Sequence, residues 1–296
     1  MPNTLAHIAV QTLTTRGILR DADFKWILAG CVLPDIPWIV QRAATVLVPE
    51  IPAIPLRLYV AVQSSLLVTL ILGAALALLS RRPGRTFVIL AFGVVMHLLL
   101  DATQTKWANG ALFFAPFSWD LANFGLYWPE SPISLGLSVT GVAVALHALW
   151  AVQPVRGRPV LRPTTRSVLA GALMLVWLSL PVVLMPGAKR ADLHFAATLE
   201  AGAQRLGKAI EFDRTPMRIG PDGVARLRAW TGETFVLQGA VPHDAEVVSV
   251  RGQFVAADTV KIDAVFVHRP AWRAILSQLG LLFVAGWWLR CLRRRK

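Results

Sequence analysis

The chain has 296 residues, of which 55% are hydrophobic and only 16% charged, and its mean hydropathy is +0.55. Several long apolar runs with so few charges exclude an ordinary soluble domain and describe a mainly α polytopic membrane protein. The net charge of +13 does not indicate nucleic acid, because much of the Lys and Arg sits in short clusters between apolar segments and at the C-terminus, the pattern of topology signals and contacts with anionic membrane lipids.

Residues 1–20 are mildly apolar, with Leu5, Ile8, Ala9, Leu13 and Ile18 at roughly helical spacing. The stretch is too polar to span and predicts a short amphipathic or buried helix, with His7 near its start. Cys31 and Cys291 are too few for a disulfide framework or a Cys-based zinc site. Leu28-Ala-Gly-Cys31 has the form of a lipoprotein box, but Asp21, Asp23 and Lys25 stand where an apolar signal region belongs, so neither lipidation nor a cleaved signal peptide is expected. Residues 26–40 form an apolar run broken by Pro34-Asp35-Ile36-Pro37. Two prolines three apart interrupt helical hydrogen bonding, and irregular backbone at membrane depth belongs inside protein or beside a wet cavity. Asp35 reads either as a helix N-cap at that break or as a metal ligand held on it.

Residues 58–79 are long enough, at ~1.5 Å per residue, to cross a ~30 Å hydrocarbon core. Gln63, Ser64 and Ser65 near the start of that segment read as helix–helix contacts or, for Gln63 and Ser64, as the lining of a site. A basic turn, residues 81–85, precedes a span over residues 87–103. That span carries His97 and Asp101. Four residues apart, they share a helical face in an otherwise apolar setting. Ionisable groups are costly at membrane depth and are paired, solvated or functional there. The pair is either a buried His–Asp hydrogen bond or part of a site for a borderline metal such as Zn²⁺.

Residues 106–131 form a polar-aromatic loop, read as an interfacial anchor or as the mouth of a site. Spans follow over residues 132–152 and 167–185, with His147 packed or interfacial and a second basic loop at residues 156–166 between them. The last span, residues 272–289, precedes a basic tail. Residues 187–270 have a different composition. An amphipathic helix over residues 192–210 and four alternating strand-like runs (223–230, 234–241, 246–256 and 259–268) predict a small β-rich domain, a barrel or sandwich. His194, His243 and His268 lack metal-like spacing and read as solvated or turn residues. The expected organisation is a helical membrane domain at 1–186, an extracytoplasmic β domain at 187–270, and a final helix with its tail at 271–296.

If the spans alternate, the basic clusters at residues 81–85, 156–166 and 290–296 share one side, which the positive-inside rule makes cytoplasmic. The chain is then expected in a bacterial inner membrane with its C-terminus cytoplasmic. A full crossing by residues 26–40 places His7 on the cytoplasmic side, far from Asp101, and Arg16, Arg20 and Lys25 favour it. A re-entrant break at residues 34–37 lets His7 and Asp35 join His97 and Asp101, and a shared metal site requires it.

Taken in order, these residues resemble the YdjM-like family of membrane-bound metal-dependent hydrolases. The matching pieces are His7, Leu33-Pro34-Asp35, the Gln63-Ser64 position, His97-Leu-Leu-Leu-Asp101-Ala-Thr, and the loop ending Phe114-Ala-Pro116-Phe117-Ser118, over about residues 1–130. The ordered ligands are also distantly similar to those of the zinc-dependent phospholipase C and P1-nuclease group. The chain departs from the family pattern at Pro37, where a second Asp is common, and at Gln63, where a His is common. The resemblance implies His7, Asp35, His97 and Asp101 as ligands of a divalent metal, expected to be zinc, with Asp35 and Asp101 as catalytic groups. It implies hydrolysis of a phosphoester or lipid-linked substrate at the outer face. The competing readings are a non-catalytic scaffold carrying a binding domain and a transporter using Asp35, His97 and Asp101 as an ion or proton relay. Nothing in the sequence sets an oligomeric state.

Overall fold

A computed structural model describes residues 3–155, 164–269 and 272–292. The basic loop at 156–163 and the tail at 293–296 lie outside the described residues. The fold is mainly helical, with a small five-stranded domain before the last helix. Among the described residues, four helices are long and apolar enough to cross a membrane: Pro83–Thr103 (α6), Pro132–Ala151 (α7), Thr165–Arg190 (α8) and Trp272–Leu292 (α10).

The first helix, α1 (Thr4–Ile18), is buried along most of its length against α6, α7 and α10. Small residues make this packing possible. A Cβ on Gly141 of α7 would lie 2.0 Å from the Leu5 carbonyl oxygen, and one on Gly280 of α10 would lie 2.7 Å from Thr4 Cβ. The chain then turns back through α2 (Phe24–Gly30), a 3₁₀ turn at Leu33–Asp35, and α3 (Ile36–Leu47). Pro34 and Pro37 occupy the first turns of these elements, where a missing N–H costs nothing. The break therefore ends α2 inside the protein, beside α6, and the arrangement that brings His7 and Asp35 to His97 and Asp101 is the one adopted.

The single straight helix expected over residues 58–79 is not formed. Two helices, α4 (Ala53–Gln63) and α5 (Leu66–Leu78), meet at Ser64-Ser65 with a bend of 66°. The break is supported by tertiary contact, since the Leu66 N–H donates to the Leu112 carbonyl at 2.9 Å. With this pair counted as one, candidate spans number up to five among the described residues.

The helix expected over residues 192–210 is also replaced. Asp192, His194 and Phe195 adopt positive φ, and only the five-residue α9 (Ala196–Glu200) follows, its first turn capped by Asp192 Oδ1 at 2.7 and 3.0 Å. Five strands, one more than expected, close into a barrel in the order β1-β2-β3-β5-β4: β1 (Ala209–Ile219), β2 (Ala225–Arg228), β3 (Thr234–Gln238), β4 (Val247–Ala256) and β5 (Thr259–Val267). Neighbours are antiparallel except β3 and β5. Of the two forms expected, barrel or sandwich, it is the barrel. Phe212, Leu227, Phe235, Val250, Phe254 and Val260 fill its interior.

Loop 104–131 is the seam between bundle and barrel. Trp128 stacks on Phe266 with centroids 3.6 Å apart, Glu130 pairs with Arg214 and His268, and the Ala108 N–H donates to Glu211 at 2.6 Å. Trp107 and Trp128 thus pack against protein at this seam, while Phe114, Phe117 and Phe124 stay exposed.

Candidate metal centre

Helix α6 presents His97 and Asp101 one turn apart near its C-terminal end, as their spacing requires. Tertiary contacts decide the rest. Helices α2 and α6 cross at Gly30 and Gly93, where a Cβ on either residue would lie 3.0–3.1 Å from the other's Cα. That approach brings the Cys31 carbonyl, one residue on, to 3.0 Å from His97 Nδ1. A carbonyl only accepts, so Nδ1 carries the proton and donates it. The Nε2 lone pair is thereby aimed at the acids, the arrangement found behind metal-binding histidines.

Around that nitrogen, Asp35 Oδ1 lies at 3.4 Å and Asp101 Oδ2 at 3.8 Å, and His7 Nε2 lies 3.5 Å from Asp101 Oδ1. The two imidazoles stack, centroids 3.9 Å apart and nearly parallel. Both are fully buried, and Asp101 nearly so. Asp35 sits at the N-cap position of α3 but makes no capping hydrogen bond, so the N-cap reading is set aside in favour of its contact with His97.

The donor set fits a cation. His7 Nδ1 and Nε2, His97 Nε2, Asp35 Oδ1 and Asp101 Oδ1 are all buried without a hydrogen-bond partner. Buried polar atoms left so cost a few kcal/mol each. One ligand atom each from His7, His97 and Asp101 falls within 4.8 Å of the others. Tetrahedral ligands on bonds of ~2.0–2.1 Å stand ~3.3 Å apart, close to the distances measured between these side chains.

Sequence reasoning missed Lys106. Its Nζ lies 3.6 Å from Asp101 Oδ2, and the residue is 3% exposed. The residues after Asp101 read as loop, and only the turn of the chain at Gln104 brings the ammonium back. Ser64, Lys106, Asp101 and His194 line a chamber of about 30 Å³, roughly one water, next to the pair. Gln63, by contrast, donates to Tyr59 Oη at 3.2 Å and to the Trp177 carbonyl at 3.5 Å, a contact with α8.

His194 is not solvated. It is buried, its Nδ1 lies 2.8 Å from the Ala108 carbonyl, and its ring meets Trp38 edge-on. Burial first, then the Arg57 charge, lowers its pKa to about 3, so it is neutral and donates to that carbonyl. His268 is likewise buried, between Glu130 at 3.1 Å and Ser249 at 2.7 Å. His243 is exposed as expected. His194 also lines a second cleft, of about 390 Å³, between barrel and bundle, with Arg57, Arg214 and Arg228 facing Glu211 and Asp213. The Arg57 guanidinium lies 4.9 Å from the Trp38 ring centroid and 5.3 Å from that of Trp230.

No family model, curated protein or solved structure matches this chain.

Proposed function

We propose that the protein is a bacterial inner-membrane hydrolase of the YdjM-like kind, using a divalent metal, zinc by its donor set, on an anionic phosphoester. The observation that carries this reading is the convergence of unpartnered atoms from His7, His97 and Asp101, with Asp35 Oδ1 beside them at 3.4 Å from His97 Nε2. Two imidazoles and two carboxylates suit a borderline cation. Held by His7, His97, Asp101 and Asp35, a divalent cation would supply polarisation of a phosphoryl oxygen and a lowered pKa for a water.

The chain's own groups divide the remaining work. The Cys31 carbonyl holds His97 in the tautomer that binds. Asp35, whose side chain is 15% exposed, is the more accessible carboxylate and takes the proton from attacking water. Asp101, between both imidazoles and Lys106, positions them. Lys106 offers a fixed positive charge to a substrate oxygen. With neutral imidazoles, the carboxylates and Lys106 sum to one negative charge, so a dication leaves a positive centre for an anion. Arg57, Arg214 and Arg228 in the adjoining cleft suit an anionic head group. Under the positive-inside rule the end with Arg81, Arg82 and Arg85 is cytoplasmic, which puts this cleft and the barrel outside.

Metal analysis of detergent-purified protein tests the reading. Wild type is expected to hold about one equivalent of cation per chain, and His97→Ala and Asp35→Ala to lose it while keeping their helical circular dichroism. A folded wild type that takes up no cation in titrations with zinc, manganese or magnesium overturns it.

One observation favours a second reading, an ion or proton relay. His7, Gln11 and Thr15 stand one turn apart on α1, all buried, with side-chain atoms that lack partners. If they form a water-bridged path, proton flux in proteoliposomes falls in Gln11→Leu while metal content is unchanged.

A further inference from the structure

Two cavities with opposite chemistry adjoin, the first of them far from the histidine cluster. The first, about 800 Å³, opens at the other end of α6; Thr86 and Asp101 are 15 residues apart, roughly 22 Å along the helix. Six cations line it, Arg16, Arg20, Lys25, Arg81, Arg82 and Arg85, against two acids. Both acids are engaged: Asp21 pairs with Arg85, and Asp23 Oδ2 lies 3.1 Å from Lys25 Nζ. Among the described residues, the other four arginines have no carboxylate within 4.0 Å. The Nε of Arg16 is buried without a partner.

The second cavity, about 320 Å³, is an almost wholly apolar groove. It shares Trp26, Leu79 and Trp288 with the first and continues past Leu33, Ile36 and Leu76, on either side of the turn that carries Asp35. Excess cations at a helix end suit a phosphate. An apolar groove leading from them toward mid-membrane depth suits a hydrocarbon chain.

We infer that the two cavities form one binding site for an anionic glycerophospholipid, its phosphate among Arg16, Arg20, Arg81 and Arg82 and an acyl chain in the groove between Trp26 and Trp288. Charge complementarity selects the head and the groove selects the chain. The site uses none of the proposed metal ligands. It rests only on the membrane reading of the helices.

Native mass spectrometry of detergent-purified protein tests this, with phosphatidylglycerol, phosphatidylcholine and inorganic phosphate as probes. Phosphatidylglycerol is expected to be retained at least tenfold better than phosphatidylcholine. The double variant Arg81→Gln/Arg82→Gln, at exposed positions, should lose that preference. Ala29→Trp, which fills the groove, should remove the lipid but leave any phosphate binding intact. Equal retention of the two lipids overturns the proposal and leaves the membrane reading standing. Phosphate that displaces the lipid completely, together with an inert Ala29→Trp, shows a plain anion site and also overturns it. If a variant fails to fold, the wild-type preference between the two lipids decides. A chain that stays monodisperse without detergent and retains no lipid defeats both the membrane reading and this one.

Discussion

The barrel and the helical bundle bury polar groups in different ways. Inside the barrel, Phe212, Phe235, Phe254 and Leu227 form a continuous apolar core, and on its outer wall at the seam the buried Ser249 and His268 satisfy each other at 2.7 Å. Inside the bundle, His7, Gln11, His97, Asp35 and Asp101 all carry buried atoms without partners. Such atoms cost stability, and a fold retains them where a ligand or water completes their bonding. The barrel interior is therefore built for stability, while the bundle places its uncompensated chemistry beside α6. The seam between them, loop 104–131, supplies Lys106 to the bundle and Glu130 to the barrel.

Substitutions can break that contrast. The largest effect is expected from His97→Ala, which removes the proposed Nε2 ligand. Cation affinity by competition titration should fall by more than ~100-fold, since loss of an outer partner alone costs 10–100-fold. Phe235→Ala should do the reverse, destabilising the barrel by about 3–5 kcal/mol in denaturant unfolding while cation affinity holds. A joint loss of both properties in Phe235→Ala contradicts the division. Gly141→Ala pushes a methyl into the Leu5 carbonyl on α1. It should cost about 1–3 kcal/mol and, by moving His7, weaken cation binding more than it weakens the barrel.

The smallest effect is in pH. Folded His194 titrates near 3, whereas unfolded His194 titrates near its ordinary 6.5. Between those values the unfolded chain binds the extra proton, so stability contributed by neutral His194 is full above pH 6.5 and declines as pH falls toward 3. Trp38 fluorescence, followed by comparison with Trp38→Phe, should report loosening of the seam in that window. His194→Gln should flatten the dependence.

Much of the architecture was legible in the sequence. The long apolar runs of α6, α7, α8 and α10 declared themselves, as did the compositional change before the barrel. The missed strand, β1, hid its alternation behind a register shift between Phe212 and Thr215, with Arg214 at positive φ and Pro216 just beyond. The false helix over residues 192–210 satisfied an apolar period, but Asp192 prefers to cap α9. The bend at Ser64-Ser65 left no mark, because a backbone break in an apolar run is stabilised by a distant carbonyl, that of Leu112.

The amino-acid sequence by itself determined that His97 and Asp101 share one face, since a four-residue interval is a local property of any helix. It also set the broken turn at Asp35, through two prolines. Only the tertiary structure decided that His7, Asp35 and Lys106 meet that face and that the Cys31 carbonyl orients His97. Those encounters depend on how closely helices approach at Gly30, Gly93 and Gly141, and close packing between distant segments has no signature in local periodicity.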